Sequence, residues 1–120
     1  MVINQGDIFW IDLDRSSGSE PGYTHPFVVI QNNIFNKSQI GTVIVCAITS
    51  NLKRAKSPGN ILLFPGEADL PKQSVVNISQ VYTIDKKDIS EKIGTLSPQR
   101  VLEILDGMDV ILKPRDIQYV

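Results

Sequence analysis

The sequence has one cysteine, one histidine, one tryptophan and two methionines among its 120 residues. A lone Cys46 excludes an internal disulfide, and one Cys with one His is too few for a zinc site. Hydrophobic runs are short: the longest unbroken one, Val43–Ile48, falls far below the ~20 residues that cross a bilayer, so no membrane association is expected. Met1–Trp10 lacks the basic start and apolar stretch of a signal peptide, which makes the cytoplasm the expected compartment. The sequence contains no phosphate loop, dinucleotide fingerprint, HExxH or GxSxG. An excess of charge of either sign is missing too. With 12 Lys+Arg against 13 Asp+Glu the net charge is −1, which argues against bulk attraction to nucleic acid.

What is present suits one ordinary domain spanning 1–120. A 13.3 kDa chain with 42% hydrophobic and 21% charged residues buries roughly two-thirds of its unfolded surface without staples. Asp7–Leu13 alternates, with Ile8 and Trp10 on one face and Phe9, Ile11 and Leu13 on the other. Phe27–Ile30 and Thr42–Ile48 are β-branched runs of strand length, joined by the turn-rich segment 32–41. Ile61–Phe64, Ser74–Ile78 and Gln80–Ile84 supply three more strands. At Ser97-Pro98 the period changes: Ser97 can cap a helix and Pro98 suits its first position. Val101, Leu105, Met108 and Leu112 then form an apolar stripe, Gly107 weakens the helix by about 1 kcal/mol relative to Ala, and Pro114 ends it. Short strands followed by one helix predict a mostly β fold with a C-terminal helix, a small antiparallel barrel or sandwich with the helix laid against it.

The neutral average hides an asymmetry. Residues 25–60 contain Lys37, Lys53, Arg54 and Lys56 but no carboxylate, whereas Asp7, Asp12, Asp14 and Glu20 precede them. Such a stretch lets a polyanion approach, although a stretch rich in core strands is poor in charge anyway. Cys46 lies inside the apolar run and reads as a core thiol. His25, the one side-chain type that exchanges a proton near neutral pH, stands between a polar loop and a strand, where Pro26 forces it into extended backbone.

Longer motifs carry a family resemblance. Gly6-Asp7-Ile8-Phe9-Trp10-Ile11-Asp12-Leu13 resembles the opening strand of the MazF/PemK toxins. Gly18-Ser19-Glu20-Pro21-Gly22, then Pro26-Phe27-Val28-Val29-Ile30-Gln31-Asn32, is similar to their loop and second strand. Thr42–Thr49 is similar to the third strand. Leu70–Val76, Gln80, Thr83–Lys86, Ile93–Ser97 and the final helix continue in family order.

The resemblance implies an SH3-like β-barrel, the fold also used by the gyrase poison CcdB, although the strand motifs favour the ribonuclease branch. It implies a homodimer that cuts single-stranded RNA at a short sequence, without cofactor or metal, leaving a 2′,3′-cyclic phosphate and a 5′-hydroxyl. It also implies a cognate antitoxin that lays an acidic C-terminal tail across the RNA groove. Thr49 matches the family's catalytic Thr. His25 stands where the family usually has a catalytic Arg. Either His25 moves protons in an active enzyme, or loss of a permanent cation leaves a module that only binds antitoxin or nucleic acid. Lys53, Arg54 and Lys56 are expected phosphate contacts because their loop follows Thr49 directly. Glu20 matches an acidic loop position and is expected at the RNA site, orienting His25 or a base edge, unless it is simply a solvated carboxylate. Gln80 is expected to touch RNA together with Ser79, which stands where several members carry an acid. Tyr82 replaces a common Arg and either stacks on a base or fills the barrel.

Overall fold

The computed structural model describes residues 1–13 and 24–115. Its elements are β1 (Asp7–Ile11), β2 (His25–Val29), the single turn α1 (Asn33–Asn36), β3 (Thr42–Thr49), β4 (Ile61–Leu62), β5 (Val75–Asp85), β6 (Ile89–Thr95) and α2 (Pro98–Leu112). All six strands form one sheet in the order β4-β5-β3-β2-β1-β6, every neighbouring pair antiparallel. Both faces of the central strands are covered. Phe27, Val29, Val43 and Val45 join one apolar cluster, while Val28 and Cys46 join another with Ile8, Val76, Ile78 and Ile104. Burial on two sides explains why β2 and β3 read as unbroken hydrophobic runs rather than alternating ones.

The expected barrel is a curled sheet left open at one seam, since no ladder joins β4 to β6. Packing spans that seam instead. The turn Glu67–Asp69 lies against β6 so closely that a Cβ on Gly94 would collide with the Ala68 carbonyl. Helix α2 clips the same turn: Arg100 donates to Glu67 from Nε at 2.8 Å and from Nη2 at 3.0 Å. Its guanidinium also lies 5.0 Å from the centre of the Phe64 ring. The Arg100 bonds hold the Glu67 carboxyl below the usual carboxylate range, against an opposing upward push from burial.

Three features differ from the sequence reading. The segments Ser74–Ile78 and Gln80–Ile84 are halves of the single strand β5. Cys46 faces Val81 and Ala47 faces Asn77, so Ile78, Ser79 and Gln80 bulge out between the two halves. Strand β6 went unread because its middle, Ser90-Glu91-Lys92, is exposed and polar. In α2 the docked side is Val101, Ile104, Gly107 and Met108, whereas Leu105 and Leu112 remain exposed. Gly107 marks the point of closest approach: a Cβ there would lie 2.8 Å from the Gly59 carbonyl and 2.8 Å from Ile78 Cδ1. Its cost in helix propensity accompanies tight seating of α2 on the β5 bulge. Ser97 caps the helix as expected, accepting from the Arg100 N–H at 3.2 Å.

Two outcomes follow for stability. Gly94→Ala should lower stability by about 1–3 kcal/mol through overpacking at the seam. Gly41→Ala, whose added Cβ meets nothing within 4 Å, should change it by less than about 0.5 kcal/mol in the same urea titration. Because folding lowers the Glu67 pKa, its contribution is complete above the unfolded value of about 4.3 and fades as pH falls through the folded value. The stability gap between wild type and Glu67→Gln should therefore be full at pH 7 and shrink below about pH 4; a gap unchanged at pH 3 contradicts the clip.

Candidate active site

Strand pairing brings the two central candidates together. Phe27 faces Ala47 and Val28 faces Cys46. The same register carried two residues further sets His25 across from Thr49, with both side chains on one face. His25 is also paired with Ile11, and Thr49 with Val75, so neighbouring strands hold both positions. The two residues line a cleft of about 380 Å³ at the strand ends.

Within the cleft, Thr49 Oγ1 accepts a hydrogen bond from the Asn51 N–H at 3.1 Å. The backbone thus occupies one lone pair and leaves the hydroxyl proton to donate to a ligand. His25 is exposed, with Pro26 fixing its approach. Trp10, paired with Pro26 across β1 and β2, supplies a half-buried aromatic wall. On the far side, Leu70, Pro71 and Lys72 contribute from the loop before β5. Ser74 fixes that loop by donating to the Lys72 carbonyl at 2.9 Å. Among the described residues that line the cleft, none is a carboxylate. It offers an imidazole, an ammonium and a hydroxyl, a donor set suited to an anion.

The other expected residues flank this centre. Lys53, Arg54 and Lys56 are exposed on the 3₁₀ turn Leu52–Lys56, which begins just past the rim residue Ser50. Asn51 caps that turn, its side chain accepting from the Lys53 N–H at 3.2 Å. Ser79 and Gln80 are exposed on the β5 bulge, beside the cleft rather than in it. Glu20 lies outside the described residues. Tyr82 is half-buried and packs edge-on against Phe27 at the margin of the core, with ring centres 5.7 Å apart. Cys46 is buried and its Sγ–H points at the Asn77 carbonyl 3.2 Å away; burial pushes the thiol pKa up to about 12.

Sequence reasoning passed over Trp10 and Lys72 as site residues. Trp10 looked like any strand aromatic, and only its pairing beside His25 marks it. Lys72 sits in the acid-rich second half of the chain, where charge counting concealed it. A second cleft, about 440 Å³ between β1 and β5, is lined in part by Asp12, Asp85 and Asp88 and is the wrong sign for a polyanion. Among the described residues no three His, Cys, Asp or Glu side chains converge as a metal site, and no helix is long and apolar enough to cross a membrane.

Comparison with known proteins agrees with the fold and covers nearly the whole chain. The chain is 38% identical over 112 residues to the Endoribonuclease MazF6 of Mycobacterium tuberculosis, covering 93% of this chain and 98% of that one. It is 38% identical over 111 residues to the Endoribonuclease MazF of Staphylococcus epidermidis, with 92% of each covered. A solved mycobacterial endoribonuclease in complex with its cognate antitoxin superposes with a TM-score of 0.72 at 21% identity, covering 91% of this chain and 93% of that one. Residues 4–112 match the family signature itself, and on these grounds the chain belongs to the PemK-like, MazF-like toxins of type II toxin-antitoxin systems.

Proposed function

We propose that the protein is an endoribonuclease that cuts single-stranded RNA at a short sequence in the cytoplasm, with no metal or other cofactor. Supporting this reading is one observation above the rest: His25 and Thr49 share a cleft with Lys72 that no carboxylate lines among the described residues. Internal cleavage uses the neighbouring ribose 2′-hydroxyl as nucleophile. As O2′ attacks phosphorus, the P–O5′ bond breaks, leaving a 2′,3′-cyclic phosphate and a 5′-hydroxyl. His25 takes the O2′ proton and water protonates the departing O5′, the hydroxide so formed then recovering the proton held on the imidazole. Thr49 donates its free hydroxyl proton to a non-bridging phosphate oxygen, and Lys72 offsets the charge that builds on the phosphorane. Trp10 offers a face on which a neighbouring base stacks. Lys53, Arg54 and Lys56 carry the flanking phosphates, Ser79 and Gln80 meet a base, and Glu20 contributes to RNA binding.

The same donor set suits an acidic C-terminal antitoxin tail, which would inhibit by occupying the RNA path. Homodimerisation fits the uncovered apolar side chains. Ile34 and Phe35 on α1, and Val110 and Leu112 at the end of α2, are all exposed, and a second copy would cover part of this area. Light scattering should accordingly give about twice the 13.3 kDa chain mass.

The decisive assay is incubation of purified protein with mixed-sequence RNA in EDTA. Wild type should cut, and His25→Ala and Thr49→Ala should each lose about 100-fold or more in rate, the usual scale for removing a proton-transfer group or an oxyanion donor. Equal cutting by all three proteins would refute the proposed site, and binding without cutting by wild type would favour the binding-module reading. Replacing Lys53, Arg54 and Lys56 together by Ala should flatten the dependence of log K on log salt by about 2, at roughly 0.7 per phosphate contact on a single strand. Binding to a 2′-deoxy-blocked RNA measures this without cleavage.

A further inference from the structure

A chain of side-chain amides runs from the backbone to the β5 bulge, and its polarity is fixed at the start. The Ile78 N–H donates to Asn60 Oδ1 at 3.0 Å, and Asn60 Nδ2 donates to the Arg54 carbonyl at 2.9 Å. Both partners are backbone groups that cannot exchange roles, so the Asn60 amide has only one orientation that satisfies them. Asn60 Nδ2 also donates to Asn77 Oδ1 at 3.2 Å, which fixes Asn77 in turn. Asn77 Nδ2 then donates to Gln80 Oε1 at 3.1 Å, and Ser79 Oγ donates to Asn77 Oδ1 at 3.2 Å. With Oε1 turned inward onto Asn77, Gln80 points its NH₂ outward. The relay is built rather than incidental: Asn77 is 7% exposed, whereas Gln80 and Ser79 stand in solvent.

The relay also lies close to the cleft. On β5, Val75 faces Thr49 and Asn77 faces Ala47, so Asn77 shares the Thr49 face two residues, or about 7 Å, further along. Ile78, Ser79 and Gln80 have no partner on β3, which frees the bulge to project. The same Asn60 that starts the relay ties down the basic turn through the Arg54 carbonyl, so the phosphate-contacting turn and the bulge share one anchor.

We propose that Asn60 and Asn77 are positioning residues that turn the Gln80 NH₂ toward one RNA base, selecting a base that presents an acceptor, a carbonyl oxygen or ring nitrogen, at that edge. This rests on the endoribonuclease reading above. A neutral amide distinguishes acceptor from donor on a base edge, whereas phosphates are met by the nearby Lys and Arg side chains. Discrimination comes from mismatch: a base presenting an N–H there would face the Gln80 NH₂ donor to donor, leaving both unpaired.

The test compares the cleavage motifs of wild type, Asn77→Asp, Asn77→Ala and Gln80→Glu by sequencing the ends produced from mixed-sequence RNA. An aspartate at 77 can only accept, so Gln80 turns its NH₂ inward and presents oxygen. Preference at one motif position should then shift, by about tenfold or more, from an acceptor-bearing to a donor-bearing base. Gln80→Glu, a surface change that keeps an acceptor for Asn77 Nδ2 and presents its second oxygen outward, should shift the same position the same way, and with Asn77→Ala it carries the test if Asn77→Asp does not fold. Asn77→Ala frees Gln80 to rotate and should relax that position. An identical motif in all four proteins with only slower cutting makes the amides purely structural and overturns the proposal. Uniformly weaker cutting by Gln80→Glu across all sequences, with the motif kept, assigns Gln80 to a phosphate and overturns it too. Absence of cutting by wild type defeats the endoribonuclease reading itself, a result distinct from an unchanged motif.

Discussion

The register between β2 and β3 is the constraint on which the site depends. With Phe27 opposite Ala47, an imidazole and a hydroxyl from segments far apart in sequence reach one cleft at the strand ends. A slip of one residue would turn the β3 side chains to the other face and separate the pair. The core makes that slip expensive. Phe27 and Val29 feed one apolar cluster and Val28 the other, so a shift would misplace side chains on both faces at once. The apolar residues that pack the sheet thus also fix which two polar groups meet at its rim.

Around that register, two devices hold the curled sheet in shape. The Glu67–Arg100 clip ties the turn that packs on Gly94 to α2, which bridges a seam that hydrogen bonding leaves open. On the opposite flank, Gly107 lets α2 seat on Ile78 at the bulge. The bulge is therefore supported from below by the helix and from the side by Asn60 and Asn77. Short-range accommodation and amide pairing converge on the segment that displays Ser79 and Gln80.

Much of this was legible in the sequence, and the limits are physical. The capped helix start at Ser97-Pro98 and the strands around Ile8, Val28 and Val45 follow from local chemistry and periodicity. His25 stood out as the one residue type suited to proton transfer, and Thr49 came from family resemblance. Their meeting in one cleft did not follow from either, because register is a tertiary property. Lys72 and Trp10 escaped for the same reason: each becomes a site residue only through its neighbours in space. Strand β6 was hidden because an edge strand needs little apolar alternation, and the bulge split β5 into two apparent strands because its exposed residues, Ser79 and Gln80, interrupt the pattern.

A pH–rate profile of RNA cleavage under saturating substrate reaches the central claim most directly, comparing wild type with His25→Arg. Wild type should show an inflection in the profile that the arginine variant lacks, since a guanidinium stays protonated and cannot take the O2′ proton. The same inflection in both proteins would mean that another group moves the proton, and the role assigned to His25 would fail.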